Sequence, residues 1–266
     1  MSTQIISIRF LSFEGFANKR FAFAEMGRSF VQKWQSDGLS FAKHLGVGAG
    51  NGFSIWPDFS SYAFLGVFEN QAASDHFFTT NERWKTLCSH SSATKGYDAV
   101  AIKGHGTWNG SNPFSIVEDP GNGPLLVMTR ASIVWYKSPI FWFYVSHASK
   151  YLENRAGLLF AKGVGEFPLI EQATLSLWDS SENLDSFAYK SKEHAPMIKK
   201  TRTIVWYSEE MFTRFRVILV LWCDFLNHKE QSKKFKVGSF WDFSLGPEIY
   251  ATLNSYSSKC NHHSCD

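Results

Sequence analysis

His194 is the histidine of this sequence best placed to hold a metal ion. Pro196 lacks a backbone N–H and disfavours helical geometry at the residue before it, so a helix that crosses this segment must break there. A side chain at such a break can point into a fold instead of along its surface, and histidine is a frequent metal ligand. His147 and His105 are the next candidates among the nine histidines. The plainer interpretation of His194 is an exposed surface side chain.

Arg130 is a second residue with chemical potential, since it interrupts an otherwise apolar strand. A buried guanidinium must find an anion, because an unpaired buried charge is costly. Two kinds of partner are open: an anionic group on a bound ligand, or a carboxylate of the chain itself, from Glu166 or Glu171. The first would make Arg130 part of a reaction site, and the second would make it structural.

Gln172 and Thr174 give one face of another strand a polar character, because they alternate with Ala173 and Leu175. If this face points into a barrel, the two side chains can donate hydrogen bonds to a bound ligand. Together with Arg130, they are our catalytic candidates.

The four cysteines offer no second metal site. Cys88, Cys223, Cys260 and Cys265 lack the spacing of a disulfide framework, as is usual in a reducing compartment. Residues 260–265 read Cys-Asn-His-His-Ser-Cys, but four ligands so close in sequence cannot easily surround one tetrahedral ion. A frayed terminus is the better interpretation.

The composition, 44% apolar and 17% aromatic, supports a substantial core and excludes a disordered chain. The aromatic surplus fits either a bulky core or a pocket for a flat or elongated apolar ligand. The net charge is +3 and no basic stripe is present, so no nucleic-acid partner is expected. Met1–Phe10 lacks an export signal, and the longest apolar run, Val217–Trp222, is too short to span a membrane. We therefore expect a cytoplasmic protein.

The elements that must position these residues are duplicated. Phe41–Gly48 reads Phe-Ala-Lys-His-Leu-Gly-Val-Gly, and Phe160–Gly165 reads Phe-Ala-Lys-Gly-Val-Gly about half a chain later, so the pair His44-Leu45 looks like an insertion. Each copy continues with a strand and then a helix. The sequence therefore predicts two tandem copies of one unit.

Each copy is predicted to fold as β-α-β-β-α-β, the ferredoxin-like order, and two such sheets can pack as an α+β barrel within one chain. Residues 1–112 form the first repeat and residues 124–222 the second, with a Pro- and Gly-rich linker between them. Residues 223–266 form an extension. Strands are predicted at Ile5–Phe13, Leu39–Gly46, Ser61–Phe68, Ala99–Lys103, Leu125–Val134, Leu158–Val164, Glu171–Trp178 and Met211–Leu221, and helices at Phe21–Trp34, Ala72–Cys88, Phe141–Asn154 and Glu182–Thr203.

An ordered set of short segments runs through residues 5–218. In the first half it contains Gly106–Gly110 with Pro113-Phe114, and in the second half Thr129–Ile133, Gly163–Glu166, Gln172–Trp178, Phe187–Tyr189 with His194, and Trp206–Phe215. This set resembles the spheroidene monooxygenase family. Each segment is weak alone, and the order makes the resemblance specific.

The resemblance implies a haem-dependent monooxygenase that hydroxylates or ketolates C-2 of acyclic or monocyclic carotenoids, using O2 and reduced ferredoxin. His194, which lies in a matched segment, would be the axial haem ligand. Arg130 would hold a haem propionate or stabilise bound dioxygen, if it is not simply paired within the chain. Gln172 and Thr174 would face the position where O2 binds.

Three other functions stay open on the same fold. One is a haem peroxidase, which would need an acid–base group close to an arginine, and no clear Asp–Arg pair is present. The second is a cofactor-free monooxygenase of quinone-like aromatics, and the third is a haem or carotenoid carrier without turnover. A carotenoid is nearly insoluble in water, so peripheral contact with the inner face of the membrane is also expected. The basic, aromatic segment Lys229–Phe243 would either make that contact or pack on the barrel.

Overall fold

The computed structural model describes residues 2–50, 56–121, 123–149, 155–167, 169–190 and 206–224. His194, the segment Lys229–Phe243 and the cysteine tail lie outside these residues. Within the described residues, the chain forms eight strands and five α-helices. In chain order they are β1 Ile5–Ser12, α1 Phe16–Val31, β2 Leu39–Gly48, β3 Pro57–Phe68, α2 Gln71–Thr80, α3 Glu82–His90, β4 Ala93–Gly106, β5 Leu125–Ile133, α4 Ser138–Ser149, β6 Leu158–Phe167, β7 Glu171–Trp178, α5 Ser181–Lys190 and β8 Tyr207–Asp224.

The eight strands close into one antiparallel barrel, in the order β1-β3-β2-β6-β7-β5-β8-β4. Within each half the four strands lie side by side in the order fourth, first, third, second. The predicted α+β class and barrel are confirmed. Two seams join the halves, one between β4 and β8 and the other between β2 and β6. No helix of the described residues is long and apolar enough to cross a membrane.

Asn81 divides the helix predicted at Ala72–Cys88 into two. It ends α2 with an extended backbone, and its side-chain oxygen accepts a hydrogen bond from the backbone N–H of Trp84 at 3.0 Å, which caps α3. Asparagine is among the preferred N-cap residues because its side chain satisfies a free N–H of the first turn. The prediction of one continuous helix was therefore wrong at this residue.

Strand pairing gives a correspondence between the two halves of the barrel. Over eight positions β1 pairs with β3, and over eight positions β5 pairs with β7, so the two pairs of strands align without a gap. On this alignment Phe64 corresponds to Thr174. His44 lies opposite Phe64 and Gly163 lies opposite Thr174, so His44 corresponds to Gly163. The predicted insertion of His44-Leu45 was wrong.

The interior of the barrel is a packed core and not an open slot. It is filled mainly by aliphatic side chains of all eight strands, among them Ile8, Leu65, Met128 and Leu175. Much of the aromatic surplus is found elsewhere, in a layer between the first-half sheet and its helices. Its buried aromatic members are Phe13, Trp34, Tyr62, Phe64, Phe68, Phe77 and Trp84. Of the two interpretations of the aromatic surplus, a bulky core accounts for this part.

The stretch between β4 and β5 is not a free linker. Trp108 and Phe114 insert into the barrel core and are almost fully buried. Near its end, Arg216 of β8 donates two hydrogen bonds to the carboxylate of Asp119, at 2.8 and 2.7 Å. We call residues 107–124 the plug loop, because it covers the barrel core with Trp108.

Candidate functional site

The structure places the three catalytic candidates on opposite faces of one sheet. Arg130 lies opposite Ala173, whose side chain belongs to the barrel core. Thr174 lies opposite Thr129, which is exposed on the outer face. Because neighbouring side chains of a strand alternate between faces, Gln172 and Thr174 point away from the barrel. The condition that this face points into the barrel is therefore not met, and the sheet separates Arg130 from the other two.

Arg130 is bound by carboxylates of the chain itself and is only 2% exposed. Its Nη1 donates a hydrogen bond to Glu209 at 2.6 Å, and its Nη2 forms an ion pair with Glu171. Glu166 lies 4.0 Å from the same guanidinium. Ser132 donates a further hydrogen bond to Glu171 at 2.8 Å. The positive charge of Arg130 is thus compensated without a ligand.

Glu209 joins this cluster to the plug loop. Its carboxylate accepts hydrogen bonds from the backbone N–H of Gly110 at 2.8 Å and of Asn109 at 3.1 Å, and from the Thr107 hydroxyl at 2.7 Å. Burial by itself raises the pKa of Glu209, but these donors, together with Arg130, outweigh it and lower the pKa to about 2. Glu209 therefore stays ionised at neutral pH.

Glu166 completes the cluster across the β2–β6 side of the barrel. It forms an ion pair with Lys43 of the first half and accepts a hydrogen bond from the Trp108 indole N–H at 2.6 Å. The guanidinium of Arg130 lies 5.1 Å from the centre of the Trp108 ring. The arrangement holds the plug loop and both halves together.

The outer face of the second-half sheet is different, because its central side chains are small. Thr174 has Thr129 opposite on β5 and Gly163 opposite on β6. In the next row Gln172 has Ala131 and Gly165 opposite. We call these two rows the small-residue floor, consisting of Thr129, Ala131, Gly163, Gly165, Gln172 and Thr174.

The equivalent positions of the first half carry bulky side chains. Phe64 stands where Thr174 stands, and its partners are Arg9 on β1 and His44 on β2. The Phe64 ring packs 5.1 Å from Trp34 and 5.3 Å from Phe77, and is fully buried. One half therefore places aromatic rings at these positions, whereas the other places threonine, alanine, glycine and one glutamine there.

Two apolar clusters border the small-residue floor on the same side of the sheet. One joins β5 to α4 through Ile133, Phe141 and Trp142. The other joins β5 and β7 to α5 through Val127, Trp178 and Leu184. Between them, the Thr174 hydroxyl is buried and has no hydrogen-bond partner among the described residues. A buried hydroxyl left without a partner is unusual and calls for a bound group or water.

The described histidines divide between the halves. His105 lies on β4, and its ring is 5.7 Å from that of Phe212, which is opposite Thr129 in the barrel. His147 lies on α4. His44 is buried in the aromatic layer of the first half, where burial and then the charge of Arg83 lower its pKa to about 3. Among the described residues no cluster of three or more His, Cys, Asp or Glu could hold a metal ion.

His44 also borders an open pocket of about 330 Å³ between α1 and β2. Trp34 and Lys43 line the same pocket. Asn109 of the plug loop and Glu166 of β6 also line it, so the pocket reaches the carboxylate cluster around Arg130.

Sequence reasoning missed Glu209, Trp108 and Thr129. The predicted strand began at Met211 and so left Glu209 outside it, whereas β8 begins at Tyr207 and includes Glu209. Trp108 belongs to the matched segment Gly106–Gly110, which could have indicated a buried position. Thr129 directly precedes Arg130, and its outward position follows from strand alternation once Arg130 is known to face inward.

Sequence comparison finds related proteins along most of the chain. A spheroidene monooxygenase of Rhodobacter capsulatus is 28% identical over 217 residues, which are 80% of this chain and 90% of the relative. A spheroidene monooxygenase of Rubrivivax gelatinosus is 33% identical over 178 residues, which are 67% of this chain and 68% of the relative. The chain belongs to the spheroidene monooxygenase family. Within this family it is an oxidoreductase of the monooxygenase class.

A third sequence relative and one solved structure complete the comparison. The spheroidene monooxygenase of Cereibacter sphaeroides is 24% identical over 220 residues, 81% of this chain and 67% of that relative. No family model matches the chain. A crystal structure of aldoxime dehydratase superposes with a TM-score of 0.52 at 11% identity, covering 80% of this chain and 81% of that one. At this identity the likeness shows the fold alone.

Proposed function

We propose that this spheroidene monooxygenase family member is a haem-dependent monooxygenase of carotenoids, which oxygenates C-2 of an acyclic or monocyclic carotenoid with O2 and electrons from reduced ferredoxin. The family membership supports the carotenoid substrate. The observation that supports haem is the small-residue floor, because a flat macrocycle needs a sheet face with few bulky side chains, and Gln172 is the one long side chain of the floor. The first half, where Phe64 and His44 occupy the same positions, has no such face.

The donor set of the floor also fits a haem. Thr174 offers a buried hydroxyl with no partner in the described part of the chain. Gln172 lies on the same face, and its side-chain amide donates a hydrogen bond to the Phe167 carbonyl at 3.3 Å. His194, our proposed axial ligand, follows the end of α5 at Lys190 by four residues. The helix α5 packs against the same sheet face through Leu184. Bound haem would supply the activation of O2 for inserting one oxygen atom into a C–H bond.

The residues of the chain then have distinct tasks. Thr174 would donate its hydroxyl hydrogen to an oxygen atom held above the floor, and the bordering apolar clusters would exclude water from it. Arg130 takes no direct part, because it faces the barrel and is bound by Glu171 and Glu209. Its task is to hold β5 and the plug loop in place. A first oxygenation gives the 2-hydroxyl, and a second at the same carbon gives a geminal diol that loses water to form the ketone.

We also propose that the two halves are copies of one ferredoxin-like unit. The identical strand order of the halves and the alignment of β3 with β7 support this. On this proposal one copy kept a packed aromatic layer and serves as scaffold, while the other lost its bulky side chains and holds the ligand.

Haem titration of purified protein tests the proposal. We expect about one haem per chain and a strong Soret band. Thr174→Phe, which introduces the residue found at the equivalent position of the first half, should lose most of that band. Thr174→Val keeps the volume and removes the hydroxyl, so it should retain the band and lose activity. A colourless wild type, or a Thr174→Phe variant that binds haem normally, would overturn the proposed site.

Product analysis in a carotenoid-producing host separates the remaining possibilities. A 2-hydroxy or 2-keto product from an acyclic or monocyclic carotenoid supports the monooxygenase. Haem binding without any product would favour a carrier. A peroxidase is disfavoured because Arg130 lies on the opposite side of the sheet from the floor.

A further inference from the structure

The helix α1 exposes three of its four phenylalanines to solvent. Phe16, Phe23 and Phe30 recur every seven residues, close to two helical turns, and therefore share one face. Their side chains are 83%, 59% and 56% exposed, and Val31 beside them is 88% exposed. Single exposed apolar residues are ordinary on a protein surface, but a continuous aromatic stripe marks a contact site.

The side of α1 that faces the protein is only partly apolar, although Phe21 packs there against the first-half core. Its buried residues are Ala22, Met26 and Glu25, and Glu25 forms ion pairs with Arg83 and Arg28. An ordinary surface helix buries its apolar stripe and exposes its charges. The orientation of α1 is thus set by the Glu25 ion pairs and by the inward contacts of Phe21, Ala22 and Met26. The three exposed phenylalanines contribute little to the fold.

The stripe continues onto the start of β3. The ring of Phe59 lies 5.7 Å from that of Phe23, and Phe59 is 53% exposed. Trp56, three residues before it, is 74% exposed. We call Phe16, Phe23, Phe30, Val31, Trp56 and Phe59 together the α1 apolar face. Tryptophan and phenylalanine are the side chains that favour the boundary between water and lipid.

The charges around the α1 apolar face are mainly basic. Arg20 is exposed within the stripe, Lys19 lies beside it and Lys33 follows the helix. The acidic groups nearby are Glu14 before the helix and Asp58 beside Phe59, while Glu25 is buried and already paired. An apolar helix face set among basic side chains is complementary to an anionic lipid surface, which attracts the charges and takes up the rings.

We propose that the α1 apolar face docks this protein onto an anionic membrane surface. The inference does not depend on haem or on the substrate, and it places lipid contact in the first half instead of in Lys229–Phe243. If the proposed function also holds, the docked protein can collect an apolar substrate directly from the bilayer.

Vesicle sedimentation tests this docking without carotenoid. The purified full chain is mixed with phosphatidylcholine vesicles, with and without phosphatidylglycerol, at low and high salt. We expect binding to the anionic vesicles that weakens with salt. Phe23→Glu should reduce the partition coefficient about tenfold or more, and Arg20→Gln about fivefold on anionic vesicles only. Ile116→Glu, an exposed apolar position of the plug loop, is the matched control and should bind like wild type.

Several results would overturn the proposal. A wild type that stays in the supernatant with every vesicle would do so, as would Phe23→Glu that sediments like wild type. A wild-type dimer that Phe23→Glu converts to monomers without changing vesicle binding would assign the face to a second copy of the chain. Haem titration of Phe23→Glu runs in parallel, and a normal Soret band shows that lost docking is separate from the proposed function.

Discussion

Arg130 donates a hydrogen bond of 2.6 Å to Glu209 although 79 positions separate them in the chain. The same carboxylate accepts the backbone N–H groups of Asn109 and Gly110, so one side chain connects β5, β8 and the plug loop. A site residue of this kind stabilises the closed barrel and keeps Trp108 inserted in it. Replacing Glu209 should therefore change the stability of the fold more directly than it changes catalysis.

Glu209→Gln is expected to lower the free energy of unfolding by about 2 to 3 kcal/mol, because the buried Arg130 loses one of its ionised partners. Urea denaturation of the variant and the wild type measures the difference. Glu210→Gln changes the exposed neighbour and should cost less than about 0.5 kcal/mol. Equal losses in both variants would contradict the role given to Glu209.

Acid should weaken the wild type through Glu209. Its pKa is about 2 in the folded protein and 4.5 as the ordinary value, so the unfolded chain binds the proton first. The stabilisation is complete above about pH 4.5 and is lost as the pH falls toward 2. The difference in unfolding free energy between wild type and Glu209→Gln should therefore shrink across this window. A constant difference would show that Glu209 is not ionised in the folded state.

His44→Leu should stabilise the protein by about 1 kcal/mol at neutral pH, because both ring nitrogens are buried without a partner in the described residues. The folded pKa of about 3 lies below the ordinary 6.5, so the unfolded chain is protonated first as the pH falls. The difference in unfolding free energy in favour of His44→Leu should therefore increase as the pH falls from 6.5 to 3. His90→Leu is the control, because His90 is bonded to Asn18 and stacked on Phe21, and it should be destabilising.

A destabilised His44→Leu variant would mean that an ordered water or another group binds the His44 nitrogens. Thermal and urea denaturation at two pH values, one above and one below the ordinary histidine pKa, would show this directly.

His194→Ala should lose most bound haem or shift the Soret band while far-ultraviolet circular dichroism stays unchanged. The reason is the helix break that the sequence predicts before Pro196, together with the short distance in sequence between His194 and the end of α5. His76→Ala alters an exposed histidine on α2 of the first half and serves as control. An unchanged spectrum in His194→Ala would pass the ligand role to His147 or His105.

Local patterns predict the strands of this protein well, because alternation and β-branched residues act within a few positions. Glu171–Trp178 was predicted to the residue. The ends of β4 and β8 were not, since polar residues there are held by pairing between the halves and not by their own propensity. Asn81 was read as a helix interior because its capping role depends on backbone geometry.

The candidate site was only partly predictable. Glu171 was one of the two carboxylates considered for Arg130, but Glu209 reaches it only because the barrel closes β5 against β8. The outward direction of Thr174 depends on which face the barrel encloses, and a single strand does not contain that information. The small-residue floor emerges only when each half is compared with the other.

The two seams of the barrel differ greatly in length. β4 and β8 pair at thirteen positions, whereas among the described residues β2 and β6 pair at Gly46↔Gly165 and Val47↔Val164. A barrel closed by one long and one short strand pairing should open first at the short pairing. Local unfolding should therefore separate the halves at β2–β6 while β4 and β8 stay paired. Amide protons of Val47 and Val164 would then exchange with deuterium well before those of Ala101 and Phe215. The Lys43–Glu166 ion pair, which joins β2 to β6, should slow this opening.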